Sequence, residues 1–456
     1  MPSVDPEGHG DYVKFDSLLS EQQDIRRSFP ATSAHNWTLS HRFLAVATAV
    51  SACVLNAGVA FGFSALLPSL VYHGAFGDLC GSAHRHGYAC PDQSTALTGM
   101  FTLTTSALNL AAMPSGCIID FFGPKATATM ALLIQSIGFA LFACGGDGLT
   151  GHALYFGGFL ILGVSGPVVM NCVFSFANMF PGREGFITAS MVGAFDAASS
   201  VFVVLAALLD RGMGFQRVFL GYATVPIAMA FVAVLLWPRG AVEKNFKVDV
   251  PRRRSEAATG LHHAPVSQQI RTPEFLLAAY ACSVNMLTLN FFIATALLQM
   301  QQVQPSEAEA LTKAFSILLP LGGVMYIPVI GALVTKIGVT QTFVVLFMAF
   351  LGFLILLAAH AVTLSNFAAI LSFVLFSFCR PLFYTLGATY IGQKFGFQTF
   401  GRLYGLLTTV CGMANLLGQP LTVFGQERGF MSANAVLACL QVTTISLPVL
   451  LWKRRR

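Results

Sequence analysis

Residues 116–123 read Gly-Cys-Ile-Ile-Asp-Phe-Phe-Gly, and residues 331–338 read Gly-Ala-Leu-Val-Thr-Lys-Ile-Gly. Both fit Gly-x-x-x-[Asp/Thr]-x-x-Gly, and each closes a long apolar stretch. Glycine lets a short loop turn tightly and lets neighbouring helices approach closely. The first copy ends the second apolar stretch of the chain and the other ends the eighth, so the pattern recurs at the same place in two sets of six. Two similar six-helix halves are the arrangement with which transporters alternate access around a midplane site.

The composition agrees. Of 456 residues, 55% are hydrophobic, 41 are Phe and only 10% are charged, against about 25% charged in soluble domains. That is too little charge to hydrate a globular surface and too much apolar side chain for disorder, which excludes a soluble enzyme and leaves a polytopic membrane protein. A spanning helix needs roughly 20 mostly apolar residues. Twelve stretches qualify, near 43–66, 94–117, 125–144, 152–179, 186–209, 216–237, 274–299, 312–334, 340–360, 364–390, 400–424 and 431–452. The first 42 residues are polar, so the first span is expected to act as its own insertion signal.

The basic residues test this count, because loops on the cytoplasmic side hold the positive excess. With both termini inside, 20 of the 26 Lys and Arg fall on the inner side, five on the outer side, and Arg380 within a span. The net charge of +6 then reflects topology, with no need of a nucleic-acid partner. The chain divides into a tail (1–42), a six-helix half (43–237), a cytoplasmic linker (238–272) containing Arg252-Arg253-Arg254, a second half (273–452) and a short basic tail (453–456).

Cys80 and Cys90 lie in the first outer loop, on the oxidising side, and are expected to form a disulfide, the alternative being two free thiols. The other eight cysteines fall in or beside apolar spans, where cysteine behaves as a small hydrophobe; no metal-ligand spacing or cofactor motif appears. Asn36-Trp37-Thr38 has the form of a glycosylation sequon but falls on the cytoplasmic side, so it is expected to be unmodified. Tyr12-Val13-Lys14-Phe15 fits a tyrosine sorting pattern.

The stretch from Gly116 through Asp120 to Gly123-Pro124-Lys125 resembles the loop signature of the major facilitator superfamily, with Phe121 where a basic residue is usual. Longer segments are more specific: Asn171 to Pro181, Gly193-Ala194-Phe195-Asp196-Ala197-Ala198-Ser199-Ser200-Val201-Phe202, Cys379-Arg380-Pro381-Leu382-Phe383-Tyr384-Thr385 and Phe400-Gly401-Arg402-Leu403-Tyr404-Gly405-Leu406. With the Cys80–Cys90 loop they are similar to solute carrier family 43 and the apicomplexan amino-acid transporters. The resemblance implies an all-α, twelve-helix carrier of amino acids; the chain is expected to work as a monomer in the plasma membrane. One branch of family 43 carries purine nucleobases, which keeps that substrate class open.

Asp196 lies about 18 Å along the fifth span from Glu184, and Arg380 about 21 Å along the tenth from Lys394, at 1.5 Å per residue. Each costs on the order of 3 kcal/mol at that depth, so both should face protein or a wet cavity. Their similar depth lets them pair and neutralise each other. Alternatively, Arg380 offers its planar fork to a substrate carboxylate while Asp196 holds the substrate ammonium or orients the arginine. Asn56, Gly58 and Gly62, Pro167 and Asn171, Asn285 and Asn290, Tyr384 and Asn415 supply amides, hydroxyls and helix breaks on cavity-prone spans. Asp120, Lys125 and Arg402 are expected at an inner gate. Asp196 is the one acidic residue well inside a span and no phosphate-binding loop occurs, which points to facilitated, gradient-driven transport. A receptor or scaffold would need long soluble domains, and the chain has almost none.

Overall fold

The computed structural model describes residues 37–83, 89–180, 184–238, 264–395 and 400–453. The sorting-like Tyr12 segment, Asn36 of the sequon, most of the linker with Arg252–Arg254, and the last three arginines lie outside the described residues.

Every regular element among the described residues is helical. The first half contains α1 (Leu39–Ala52), α2 (Phe63–Tyr72), α3 (Pro91–Leu110), α4 (Ala112–Ala143), α5 (Gly148–Val173), α6 (Glu184–Ala197), α7 (Ser200–Asp210) and α8 (Phe215–Leu236). A short α9 (Val266–Gln269) leads into the second half: α10 (Pro273–Val303), α11 (Ala308–Met325), α12 (Ile327–Lys336), α13 (Val339–Thr363), α14 (Asn366–Phe395), α15 (Phe400–Asn415), α16 (Gly418–Arg428), α17 (Phe430–Thr443) and α18 (Ser446–Lys453). Local chemistry sets the starts. Pro91 and Pro273 open α3 and α10, where a missing N–H costs nothing, and Thr272 Oγ1 caps α10 by accepting from Phe275 N.

Eleven stretches among the described residues are long and apolar enough to cross a membrane. The expected second span is not among them: α3 is rich in Thr and Ser. Thr98, Thr102, Thr104, Thr105, Ser106 and Asn109 are all buried, so this helix turns its polar side into the protein, and several hydroxyls are satisfied by their own helix carbonyls. The edges need correction. The first span runs from Leu39 to Tyr72 rather than 43–66, in pieces: α1, a π-helical turn at Cys53–Ala57, a tight turn at Val59–Gly62, and α2. Its buried Ser64 and Ser69 show why polarity did not mark its end. The fifth span breaks between α6 and α7, and the tenth continues to Phe395 rather than 390.

The glycine repeat has a physical basis. Gly123 (φ 79, ψ 160) and Gly338 (φ 83, ψ 164) adopt the same backbone conformation, one essentially restricted to glycine. Gly123 breaks α4 into two helical pieces, and Gly338 turns the chain from α12 into α13. The opening glycines differ: among the described residues, a Cβ at Gly116 or Gly331 would meet nothing within 4 Å. Gly123→Ala and Gly338→Ala are therefore each expected to lose about 1–3 kcal/mol, read as a lowered thermal midpoint in detergent. Gly331→Ala, inside α12, should hold its midpoint or raise it.

The disulfide joins Cys80 to Cys90, with Cα atoms 5.8 Å apart. Beside it Gln93 Nε2 donates to Ala75 O (2.8 Å), while Asp78 accepts from Gly148 N and pairs with His152 at 2.8 Å, docking this loop on the next one at the same end. Slight burial works to raise the Asp78 carboxyl, but the Gly148 N–H and the His152 ring outweigh it and hold the group below the usual carboxylate range.

Among the described residues, several polar contacts join the halves. Asn415 Nδ2 donates to Thr105 Oγ1 and Ser106 Oγ, both at 2.9 Å, and Asn415 Oδ1 accepts from Asn290. Gln426 Nε2 donates to Ser94 Oγ (2.7 Å), Ser64 and Ser316 share a hydrogen bond, and Lys313 pairs with Asp210 at 3.1 Å.

Candidate functional site

Arg380 on α14 and Asp196 on α6 meet across the two halves, Nη1 to Oδ1, at 2.8 Å, with both side chains 2% exposed. The contact is a charge pair rather than a directed hydrogen bond. Arg380 Nη1 and Nη2 and Asp196 Oδ2 have no hydrogen-bond partner, and a buried polar group left that way costs about 1–3 kcal/mol. Two aromatic faces attend the guanidinium, Phe61 at 4.3 Å from Cζ and Tyr384 at 6.0 Å, which favours the cation without satisfying its N–H groups.

Small residues make the meeting possible. A Cβ on Gly323 of α11 would run into Asp196 Cβ, and one on Gly322 would run into Ser377, so the Gly322-Gly323 notch lets the fifth and tenth spans close on the eighth. Pro381 follows Arg380 inside α14 and supplies no N–H to the Ser377 carbonyl one turn earlier. On the other side, Gly58 and Gly62 press against the Phe195 and Ser199 carbonyls, which flank Asp196. This Gly-x-x-x-Gly contact seats Phe61 over the arginine.

The break in the first span frees backbone carbonyls, and neighbouring helices satisfy them: Gln135 Nε2 donates to Asn56 O (2.7 Å) and Tyr222 Oη to Leu55 O (2.8 Å). The expected residues thus separate by role. Arg380, Asp196 and Tyr384 come together. Asn56 and Asn285 are buried at mid-span, each with an unpartnered Oδ1. Gly58 packs helices. Asn171 donates to Ser115 Oγ (3.2 Å) toward the glycine-loop end, while Asn290 and Asn415 belong to the seam between halves. Of the expected gate, Arg402 is exposed and Lys125 half-buried, and the Asp120 side chain lies outside the described residues. Phe61, Gln135 and the Gly322-Gly323 pair were missed in the sequence. A glutamine inside an apolar span and paired glycines at mid-span were the signals available.

Among the described residues, eleven apolar spans and the polar-sided α3, set in two halves that the buried Arg380–Asp196 pair joins, have the architecture of a membrane transporter. The chain belongs to the Major Facilitator Superfamily, whose profile matches residues 49–419. It is similar to Protein FMP42 of Saccharomyces cerevisiae, 27% identical over 83% of this chain and 88% of that one. It is also similar to the aromatic and large neutral amino acid transporter 5-3 of Toxoplasma gondii, 21% identical over 89% of this chain and 82% of that one. Among solved structures, the human organic anion transporter MFSD10 superposes with a TM-score of 0.61 at 16% identity, covering 89% of this chain and 99% of that one, a likeness of fold.

Proposed function

We propose that this transporter carries amino acids by alternating access, with Arg380 and Asp196 as the substrate's charge partners. The observation that carries the reading is the buried pair with open valences on both sides, Arg380 Nη2 and Asp196 Oδ2. A zwitterion matches them: its carboxylate takes the guanidinium fork and its ammonium takes the carboxylate. One ion pair is exchanged for two, so no buried charge is left alone at any stage. A substrate with an uncharged side chain is favoured, because among the described residues no second acidic side chain stands at mid-span to receive a cationic one. Phe61 and Tyr384 offer it apolar contact, and the similarity to the Toxoplasma carrier of aromatic and large neutral amino acids agrees.

In the empty carrier the pair neutralises itself, which allows the unloaded protein to reorient and suits facilitated uniport or exchange. The reading includes a monomer in the plasma membrane with both termini cytoplasmic, the boundaries at 43, 238 and 273, and a gate of Asp120, Lys125 and Arg402 at the cytoplasmic end. Uptake of labelled leucine, tyrosine, arginine and adenine in oocytes, with mutual competition, tests it. Leucine and tyrosine are expected to enter and compete, unaffected by a protonophore at clamped voltage. Adenine uptake that leucine does not inhibit, without amino-acid uptake, would replace the reading with a nucleobase carrier.

A further inference from the structure

A cavity of about 230 Å³ lies between the seventh, ninth and twelfth spans, and neither Arg380 nor Asp196 lines it. Its walls are apolar side chains of α10, α13 and α17 except for three polar residues, Gln299, Asn434 and His360. Two of these engage each other: Asn434 Nδ2 donates to Gln299 Oε1 (2.9 Å), and Gln299 Nε2 donates onward to Thr295 Oγ1 (2.8 Å). His360 differs. It is fully buried, and its Nδ1 lies 3.1 Å from Ser365 O. A carbonyl only accepts, so Nδ1 carries the hydrogen, and in the neutral imidazole Nε2 is an acceptor. That Nε2 has no partner.

Position narrows the occupant. His360 stands three residues before the end of α13, about 4.5 Å below it at 1.5 Å per residue, and Phe430 opens α17 beside it. The cavity therefore sits just inside the disulfide-end face of the bilayer, and the exposed Ile355 and Met431 at its rim continue it along the lipid-facing surface. A ligand entering from the bilayer would bring an apolar body and one hydrogen-bond donor at the depth of the interface. No Asp, Glu, Lys or Arg lines the walls, so a charged headgroup would find no partner. A fully esterified glycerol brings only carbonyl acceptors, which cannot donate to an acceptor such as His360 Nε2.

We propose that this cavity binds a membrane sterol, whose hydroxyl donates to His360 Nε2 while its rigid apolar body lies in the groove between the ninth and twelfth spans. One hydrogen bond of ordinary strength sets the size of the effect, about 3- to 10-fold in affinity. The purified full-length protein in nanodiscs is labelled with a photoreactive cholesterol probe and the adducts are mapped. Adducts are expected on α13 and α17. His360→Phe, which keeps a ring and removes the acceptor, should lower labelling about 3- to 10-fold. Cholesterol should compete better than its 3-O-methyl ether, which lacks the donor, by a similar factor. The ether comparison uses the unaltered protein, so it stands even where His360→Phe fails to fold. Equal competition by sterol and ether, adducts outside these helices, or undiminished labelling of a folded His360→Phe would overturn the proposal and leave a groove that holds acyl chains only.

Discussion

Arg380→Lys is expected to reach the membrane normally and to lose amino-acid uptake by about 100-fold or more. The substitution keeps the positive charge, so Asp196 still faces a cation and the halves still meet. What disappears is the planar fork that can hold a carboxylate through two parallel hydrogen bonds while the aromatic faces of Phe61 and Tyr384 hold the fork in place. Single removal of Asp196 is less informative, because it strands a buried guanidinium, and breaking one side of a buried pair costs about 3–5 kcal/mol. The double variant Asp196→Asn with Arg380→Gln removes both charges at once. A pair that serves only to join the halves would leave that double variant transporting; a pair that receives substrate would leave it folded and inactive. Uptake measured beside surface biotinylation separates the two.

Gly323→Ala should be the most damaging single-methyl change in the second half. Its Cβ would fall on Asp196 Cβ and crowd the carboxylate, with Oδ2 at 3.2 Å. Neither neighbour is the free end of a flexible chain, so the fifth and eighth spans must separate. Overpacking of this kind costs typically about 1–3 kcal/mol, and here the displaced helix carries half of the charge pair. Uptake should fall at least tenfold and the thermal midpoint should drop. Gly221→Ala is the matched control, since a Cβ there meets nothing within 4 Å, and it should change neither reading.

The class of the molecule and the pair at its centre were legible because both rest on energies too large to hide. Charge is so costly in a bilayer that two ionisable residues at mid-span announce themselves, and counting helical rise puts Asp196 and Arg380 at similar depth. The glycine repeat was legible too, though for only half of its glycines: Gly123 and Gly338 are constrained by their backbone angles, whereas a Cβ at Gly116 or Gly331 meets no described atom within 4 Å. Apolar periodicity says nothing about backbone breaks, so the π-helical turn at Cys53–Ala57 and the division of the fifth span after Asp196 stayed hidden. The partners of freed carbonyls stayed hidden with them. Gln135 and Tyr222 acquire their roles only once the break at Gly58 exists. Phe61 was one of 41 phenylalanines, and nothing local distinguishes it; its position over Arg380 follows from Gly58 and Gly62 packing on the fifth span.

The central claim, that a zwitterion takes the place of the Arg380–Asp196 contact, is tested most directly by binding to the purified protein. Displacement of labelled leucine is measured with leucine, leucine methyl ester, 4-methylpentanoate, 3-methylbutylamine and adenine. The ester lacks the free carboxylate, the acid lacks the ammonium, and the amine lacks the carboxyl group altogether. Leucine alone should displace at low concentration, with each one-charge analogue weaker by about 100-fold or more, because each leaves one buried charge unanswered. Displacement by the ester, the amine or adenine as effective as by leucine itself would contradict the account.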